Sequence, residues 1–268
     1  MTGARKWMGE LLLHSPAPLR SLRDVPVLGE IIHRLSHRIL PPDEKVWAQI
    51  EAGPAKGIWM ELNPRTSRSY VRGEAEAGVQ QTLAERIQPG MVFYDLGANI
   101  GFFSLLAARL VGKDGSVFSF EPDASVAARL RRNIARNGFE NVTVVESGVW
   151  STSGEMKFAS ADPSSPDHGL GRVVAADDPA GRPTTCVALD DFARTSPAPD
   201  AIKCDVEGAE AEVFRGAEKL LELRRPWIVC EIHSPTNDAA LRSHLGCLGY
   251  RLETLDANHV LALPPRKR

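Results

Sequence analysis

Cysteine is sparse in this chain and badly spaced for chemistry. Cys186, Cys204, Cys230 and Cys247 form no CxxC pair. That spacing argues against a zinc site and a disulfide framework and suits a reducing cytosol. No run of about 18 uninterrupted apolar residues occurs, so no membrane-spanning helix and no stable membrane insertion are expected. The N-terminus lacks the apolar core of a signal peptide, and the expected location is cytoplasmic. An excess of one charge is missing too: 32 Lys and Arg against 34 Asp and Glu leave a formal net charge of -2. There is accordingly no basic footprint for a general nucleic-acid partner. The basic residues that do cluster, Arg129, Arg131, Arg132 and Arg136, have the spacing of a solvated helix face. Neither composition nor spacing encodes an oligomeric state.

What is present is enough for one sizeable α/β domain and an extension: 268 residues, 43% of them hydrophobic. Residues 1–90 read as a helical lead-in and cap. Its stretch VPVLGEIIHRLSHRILPP carries Val27, Leu28, Ile31, Ile32, Leu35 and Ile39 at helical spacing, expected to pack on its own domain with membrane-surface contact as the second reading. Next comes a hairpin-like piece turning at Asn63-Pro64 between Ile58–Leu62 and Tyr70-Val71, then a helix in EAGVQQTLAERI.

From residue 91 short apolar strands alternate with helices, the pattern of a Rossmann-like, mainly parallel sheet over 91–268. Strands are expected at MVFYDL, SVFSFEP, VTVVES, AIKCDV, PWIVCEIH, YRLETL and HVLALP, seven in all. Helices are expected at GFFSLLAARLV, ASVAARLRRNIARNG, GAEAEVFRGAEKLLELR and NDAALRSHLGCLG. Only Asp256-Ala257-Asn258 separates the last two strands, too little for a helical crossover, so one of them must run antiparallel. Residues 151–200, rich in Pro, Gly, Asp and Ser, read as a long surface loop near the ligand end of the sheet.

The stretch VFYDLGANIGFFS runs from strand through a glycine turn into a helix, a nucleotide-cofactor arrangement in which Gly97 and Gly101 permit close backbone and ligand approach. The dinucleotide fingerprint G-x-G-x-x-G fails, because Asn99 stands at +2 and Gly101 at +4 from Gly97. Asp95 at the strand end disfavours a pyrophosphate and suits a ligand with a cationic portion, such as S-adenosylmethionine. Glu121, 24 residues beyond Gly97, stands where a carboxylate accepts hydrogen bonds from both ribose hydroxyls. In ESGVW, Ser147 and Val149 are candidates for the adenine border, with plain packing as the alternative.

These residues and the terminal hairpin resemble the class I S-adenosylmethionine-dependent methyltransferases. More closely, GMVFYDLGANIGFFSLLAARLVGKDGSVFSFEPD and AIKCDVEGAEAEVFRGA resemble the two main signatures of the FkbM family, and KGIWMELN and YVRGEAEAGV extend the likeness over roughly residues 55 to 235. The resemblance implies methyl transfer to an oxygen, often a hydroxyl of a sugar, glycolipid or polyketide. It also implies a cofactor site at Asp95, Gly97, Asn99, Gly101 and Glu121. The acceptor, a small molecule or glycan, is expected over the ends of the fourth and fifth strands, at Asp205, Glu207, Glu231 and His233. Strand alternation puts Asp205 with Glu207, and Glu231 with His233, on one face. Asp205 is expected as the central polar group and His233 as the general base, since imidazole titrates near physiological pH. Glu210 reads as a first-turn helix acid. Catechol-type methyltransferases place divalent-cation ligands where Asp205 and Glu231 stand; here Ile232 replaces their third ligand, an amide, so His233 must substitute and a metal is not the favoured reading. His168 is a spare acceptor contact. Two rival functions stay open: a NAD-dependent oxidoreductase and a catalytically silent S-adenosylmethionine-binding module.

Overall fold

The computed structural model describes residues 44–159, 172–174, 179 and 181–265, together with 9, 10, 13, 27, 30, 31 and 34. His168 lies outside them. So does most of the 27–39 stretch; of its apolar residues only Val27 and Ile31 are described, and both are exposed rather than packed.

Packing divides the chain into two compact units, with the break after Ala77. In the first, strand β1 (Val46–Gln49) pairs antiparallel with β2 (Trp59–Leu62), Val46 opposite Leu62. The expected hairpin partner was Tyr70-Val71, but those residues lie in helix α1 (Arg68–Arg72). The reason is Asn63. Its side chain accepts from the Arg65 amide and its carbonyl from the Thr66 and Ser67 amides, which turns the chain into a helix instead of back along the strand. Helix α2 (Ala77–Arg86), which forms as expected, starts at the break and otherwise belongs to the second unit.

The second unit is built on seven strands, all at the places read from the sequence. They are β3 (Val92–Leu96), β4 (Ser116–Phe120), β5 (Val142–Val145), β10 (Ala201–Cys204), β11 (Trp227–Glu231), β12 (Arg251–Thr254) and β13 (His259–Leu263). Their order is β12-β13-β11-β10-β3-β4-β5. β3, β4, β5, β10 and β11 are mutually parallel, while β13 runs antiparallel to both β11 and β12. This is the mainly parallel seven-stranded sheet with a reversed hairpin strand that the sequence predicts. The chain leaves β3 toward β4 and β5, then returns to β10 on the other side of β3, which makes the C-terminal ends of β3 and β10 a topological switch point, the crevice where open α/β sheets bind ligands.

β3 and β10 are covered on both faces, which accounts for their nearly unbroken apolar runs. Helix α3 (Phe102–Val111) is buried on most of its surface. Helix α4 (Ala124–Asn137) starts at Asp123, whose side chain accepts from the Ser125 and Val126 amides, and ends at left-handed Gly138. Arg131, Arg132 and Arg136 are on its solvent face as expected, but Arg129 is buried.

Two expectations are corrected here. The segment after β5 is not simply a loop: β6 (Gly148–Val149), β7 (Gly154–Ala159), β8 (Arg172–Val174) and β9 (Arg182–Val187) form a second sheet in the order β6-β9-β7-β8, followed by the short α5 (Leu189–Phe192). Its strands are short and lie between Pro-, Asp- and Gly-rich runs, which dominate the composition. The single helix expected at 208–224 is split into α6 (Glu210–Arg215) and α7 (Glu218–Leu223). At the break a Cβ on Gly216 would come within 2.3 Å of the Trp150 carbonyl, a close approach that only glycine permits. Helix α8 (Pro235–Cys247), capped by Ser234, follows β11. Among the described residues no helix is long and apolar enough to cross a membrane.

Candidate functional site

The turn after β3 is stapled to the neighbouring strand ends by its own backbone. The Gly97 and Ala98 amides both donate to the Phe120 carbonyl, at 3.1 and 2.8 Å, and the Asn99 amide donates to Glu121 Oε2 at 3.0 Å. Gly97 and Gly101 have positive φ, but the space their missing side chains leave is taken by the protein itself, not by a ligand as the sequence led us to expect. A Cβ on Gly97 would lie 1.8 Å from the Asp205 carbonyl, and one on Gly101 would lie 2.1 Å from Leu130 Cδ1. The glycines let the turn close against the end of β10 and against α4. Asn99 holds the left-handed conformation between them, at φ 48.

Asp95 is fully buried beneath this turn rather than exposed in its mouth. Its Oδ2 accepts from Ser104 Oγ at 2.5 Å, and Ser104 accepts in turn from Ser119 at 2.7 Å. In the sheet Asp95 is flanked by Lys203 on β10 and Ser119 on β4.

Glu121 stands just past the end of β4, buried, with each carboxylate oxygen taking one backbone donor: Asn99 N on Oε2, and Asp123 N on Oε1 at 2.9 Å. Burial pushes its carboxyl up to about 7, although the two amide hydrogen bonds oppose the shift. An ionised carboxylate oxygen accepts more than one hydrogen bond, so both oxygens retain capacity for a diol. Ser147 is buried, its hydroxyl within 2.9 Å of the Thr185 carbonyl and 3.0 Å of its neighbour Gly148's, so it ties the end of β5 to β9. Val149 packs in the core with Tyr94 and Phe120.

On the other side of the switch point, Asp205, Glu207, Glu231 and His233 do come together, though not by strand alternation. β10 ends at Cys204, and Asp205–Ala209 form a turn in which Glu207 takes φ 50 and Gly208 φ 95. This turn swings both carboxylates toward His233, whose Nε2 lies 3.5 Å from Asp205 Oδ1, 3.4 Å from Glu207 Oε2 and 3.9 Å from Glu231 Oε1.

Four further residues complete the arrangement, and sequence reasoning missed them or assigned them otherwise. Glu210, read as a helix-dipole acid, is fully buried and meets His233 Nδ1 at 2.6 Å. Asn237 of α8 donates to Glu210 Oε2 at 2.8 Å and to the Gly208 carbonyl at 2.7 Å. Buried Lys203 donates to Asp205 Oδ2 at 3.0 Å and sits 5.1 Å from the centroid of Phe103. His259, opposite Glu231 in the sheet, binds Asp256 through Nδ1 at 2.8 Å and has Nε2 3.7 Å from Glu231. The lone lysine inside AIKC and the Ser-Pro opening of α8 were the available signals for Lys203 and Asn237.

The surrounding charge sets the titration of His233. The Glu210 hydrogen bond, reinforced by Glu210, Asp205 and Glu207 charge, raises the imidazole to about 9 against the opposing effect of burial. This raised value favours the imidazolium near neutral pH, so the general-base role expected of His233 requires that proton to leave first. Asp205 is held below the usual carboxylate range: burial works to raise it, but Lys203 and the two histidines outweigh that. Burial lifts Glu207, with Asp205 adding to the shift.

Comparison with known proteins bears on family and fold. Residues 95–252 match the methyltransferase FkbM domain. The chain is 28% identical over 166 residues to the hexuronic acid methyltransferase AglP of Haloferax volcanii, covering 61% of this chain and 64% of that protein. It is 34% identical over 96 residues to the 31-O-demethyl-FK506 methyltransferase FkbM of Streptomyces tacrolimicus, covering 36% and 32% respectively. The chain thus spans less than two thirds of the length of either relative. The crystal structure of a methyltransferase FkbM from Methylobacillus flagellatus KT shares the fold, with a TM-score of 0.50 at 19% identity over 66% of this chain and 44% of that one.

Proposed function

We propose that this chain, which belongs to the methyltransferase FkbM domain family, is an S-adenosylmethionine-dependent methyltransferase acting on a hydroxyl of a sugar, glycan or secondary metabolite. The observation that carries the cofactor reading is the placement of Glu121. Its buried carboxylate, oriented by the Asn99 and Asp123 amides, stands at the strand end beside the Gly97–Gly101 turn. A carboxylate fixed there is complementary to two vicinal ribose hydroxyls. When bound, the cofactor supplies an electrophilic methyl group. Asp95, through Ser104, and the backbone of 97–101 shape the turn that would hold it, with Ser147 and Val149 bordering it from the end of β5 and from β6.

The acceptor side is assigned to Asp205, Glu231 and His233, grouped beyond β10 and β11. In-line transfer is governed by alignment of the acceptor oxygen behind the methyl group. The carboxylates of this cluster can accept hydrogen bonds from acceptor hydroxyls and fix their position, and His233 offsets the carboxylate charge. The O-methyl assignment draws support from the 31-O-demethyl-FK506 methyltransferase relative, and the sugar assignment from the hexuronic acid methyltransferase relative.

The test is calorimetric titration of the purified protein with S-adenosylmethionine and, separately, with NAD. Binding of S-adenosylmethionine alone is expected. Binding of NAD in its place would overturn the reading, and tight S-adenosylhomocysteine binding with no turnover on any glycan or polyketide acceptor would favour a silent binding module.

A further inference from the structure

The structure assigns a divalent-cation site to the cluster beyond β10 and β11, with Asp205, Glu231 and His233 as its ligands. One oxygen from each acid and a ring nitrogen of His233 lie within 4.8 Å of one another. His233 Nε2 is 3.5 Å from Asp205 Oδ1 and 3.9 Å from Glu231 Oε1. Ligand atoms around a single small ion stand roughly 3 to 4 Å apart, so these need only small side-chain movements to close on one.

Proximity of acids and a histidine is common, and three other observations make this a site. Asp205 Oδ1 is buried and accepts no hydrogen bond among the described residues, while the Lys203 bond occupies Oδ2. A buried carboxylate oxygen without a hydrogen bond is costly, and with the His233 ring no nearer than 3.5 Å a directly bound cation would satisfy it. Next, carboxylates outnumber the basic side chains around them: Asp205, Glu207, Glu210 and Glu231 surround His233, with Lys203 and His259 as the other basic groups close by. Finally, Glu210 fixes the ring. It occupies Nδ1 at 2.6 Å, is itself held by Asn237 and the Gly208 amide, and so aims Nε2 at the two carboxylate oxygens. A carboxylate on one nitrogen and an ion on the other is how metal-binding histidines are oriented.

In the loaded site the ion takes the place of the Nε2 proton, which leaves to solvent, and Nδ1–H continues to donate to Glu210. Two carboxylates and one imidazole suit a first-row ion such as Mn2+ better than Mg2+ or Ca2+, which favour oxygen ligands alone. The ligand His233 lies beyond the strand end, where the sequence offers Ile232 at the position of an amide. This inference goes beyond the methyl-transfer reading and does not depend on it.

The test uses the full chain, stripped with EDTA and titrated with Mn2+ at neutral pH, with free Mn2+ read by electron paramagnetic resonance. We expect one bound ion per chain, displaced by Zn2+ and not by an equal amount of Mg2+. Asp205→Asn, Glu231→Gln and His233→Gln should each weaken binding by about tenfold or more, with folding checked by near-ultraviolet circular dichroism. Any one of the three that remains folded is sufficient. Absence of Mn2+ binding to the wild-type chain, or binding unchanged in every folded variant, overturns the site. S-adenosylhomocysteine titrated into the same samples reports separately on the proposed function.

Discussion

Glu210 Oε1 meets His233 Nδ1 at 2.6 Å, joining the first turn of α6 to the residue two positions past β11. Glu210 is fully buried, and its other contacts, to the Gly208 amide and the Asn237 side chain, leave it one orientation. The pair therefore fixes both the tilt and the charge of the imidazole at the centre of the carboxylate cluster.

We predict that Glu210→Gln lowers the His233 pKa from about 9 toward its ordinary value near 6.5, because it removes the largest cause of the upward shift. Proton NMR titration of the imidazole in EDTA-treated protein reads this directly. An unchanged titration midpoint would show that Glu210 does not hold the ring. The stability linkage has a definite sign: a raised histidine stabilises fully below its unfolded value of about 6.5, and the contribution is lost as pH rises through about 9. The wild type should lose more stability than the variant across that window.

Glu121→Ala should weaken S-adenosylmethionine binding by roughly 1 to 3 kcal/mol, the range for charge-assisted hydrogen bonds. Calorimetry on the two proteins checks it, and equal affinities would remove the ribose assignment.

Ribose hydroxyls donate to the ionised carboxylate, so cofactor affinity should rise with pH through about 7, where Glu121 loses its proton. For folding without ligand the direction is opposite. A raised carboxyl contributes stability that is present below its unfolded value of 4.5 and lost as pH rises through about 7. A pH series of binding and chemical-denaturation curves on wild type and Glu121→Gln separates the two effects; pH profiles identical in both proteins would contradict them.

Gly97→Ala should cost about 3 kcal/mol or more, since it combines a positive φ with a collision against backbone. Gly101→Ala meets the end of the flexible Leu130 side chain instead, and should cost less. Urea unfolding of both variants gives the order, and the reverse order would mean that the turn does not close on β10 as described.

Lys203→Met leaves Asp205 in place without its buried cation. We expect a loss of about 3 kcal/mol in thermal or chemical unfolding, typical of breaking a buried ion pair from one side. A neutral effect would show that His233 alone satisfies Asp205.

The sequence by itself determined the large sheet. Seven apolar runs of strand length, helical crossovers between most of them and a three-residue link at 256–258 leave few ways to bury those runs, and the seven strands form where they were read. It also placed Asp95, Glu121, Asp205 and Glu231 at strand ends, because a strand end is marked locally by where the apolar run stops. Tertiary structure decided what those residues touch. Whether Asp95 faces a ligand or lies beneath the turn depends on Ser104 of α3, and whether a missing Cβ makes room for a ligand or for Asp205 depends on a strand more than a hundred residues away. The charge state of His233 was illegible for the same reason. Imidazole titrates near neutrality only when alone, and Glu210, Asp205, Glu207 and Glu231 reach it through a left-handed turn at Glu207 and a helix start that no residue period encodes. The second sheet escaped notice because short strands between polar, proline-rich runs carry too weak an alternation to stand out before the partner strands supply their hydrogen bonds.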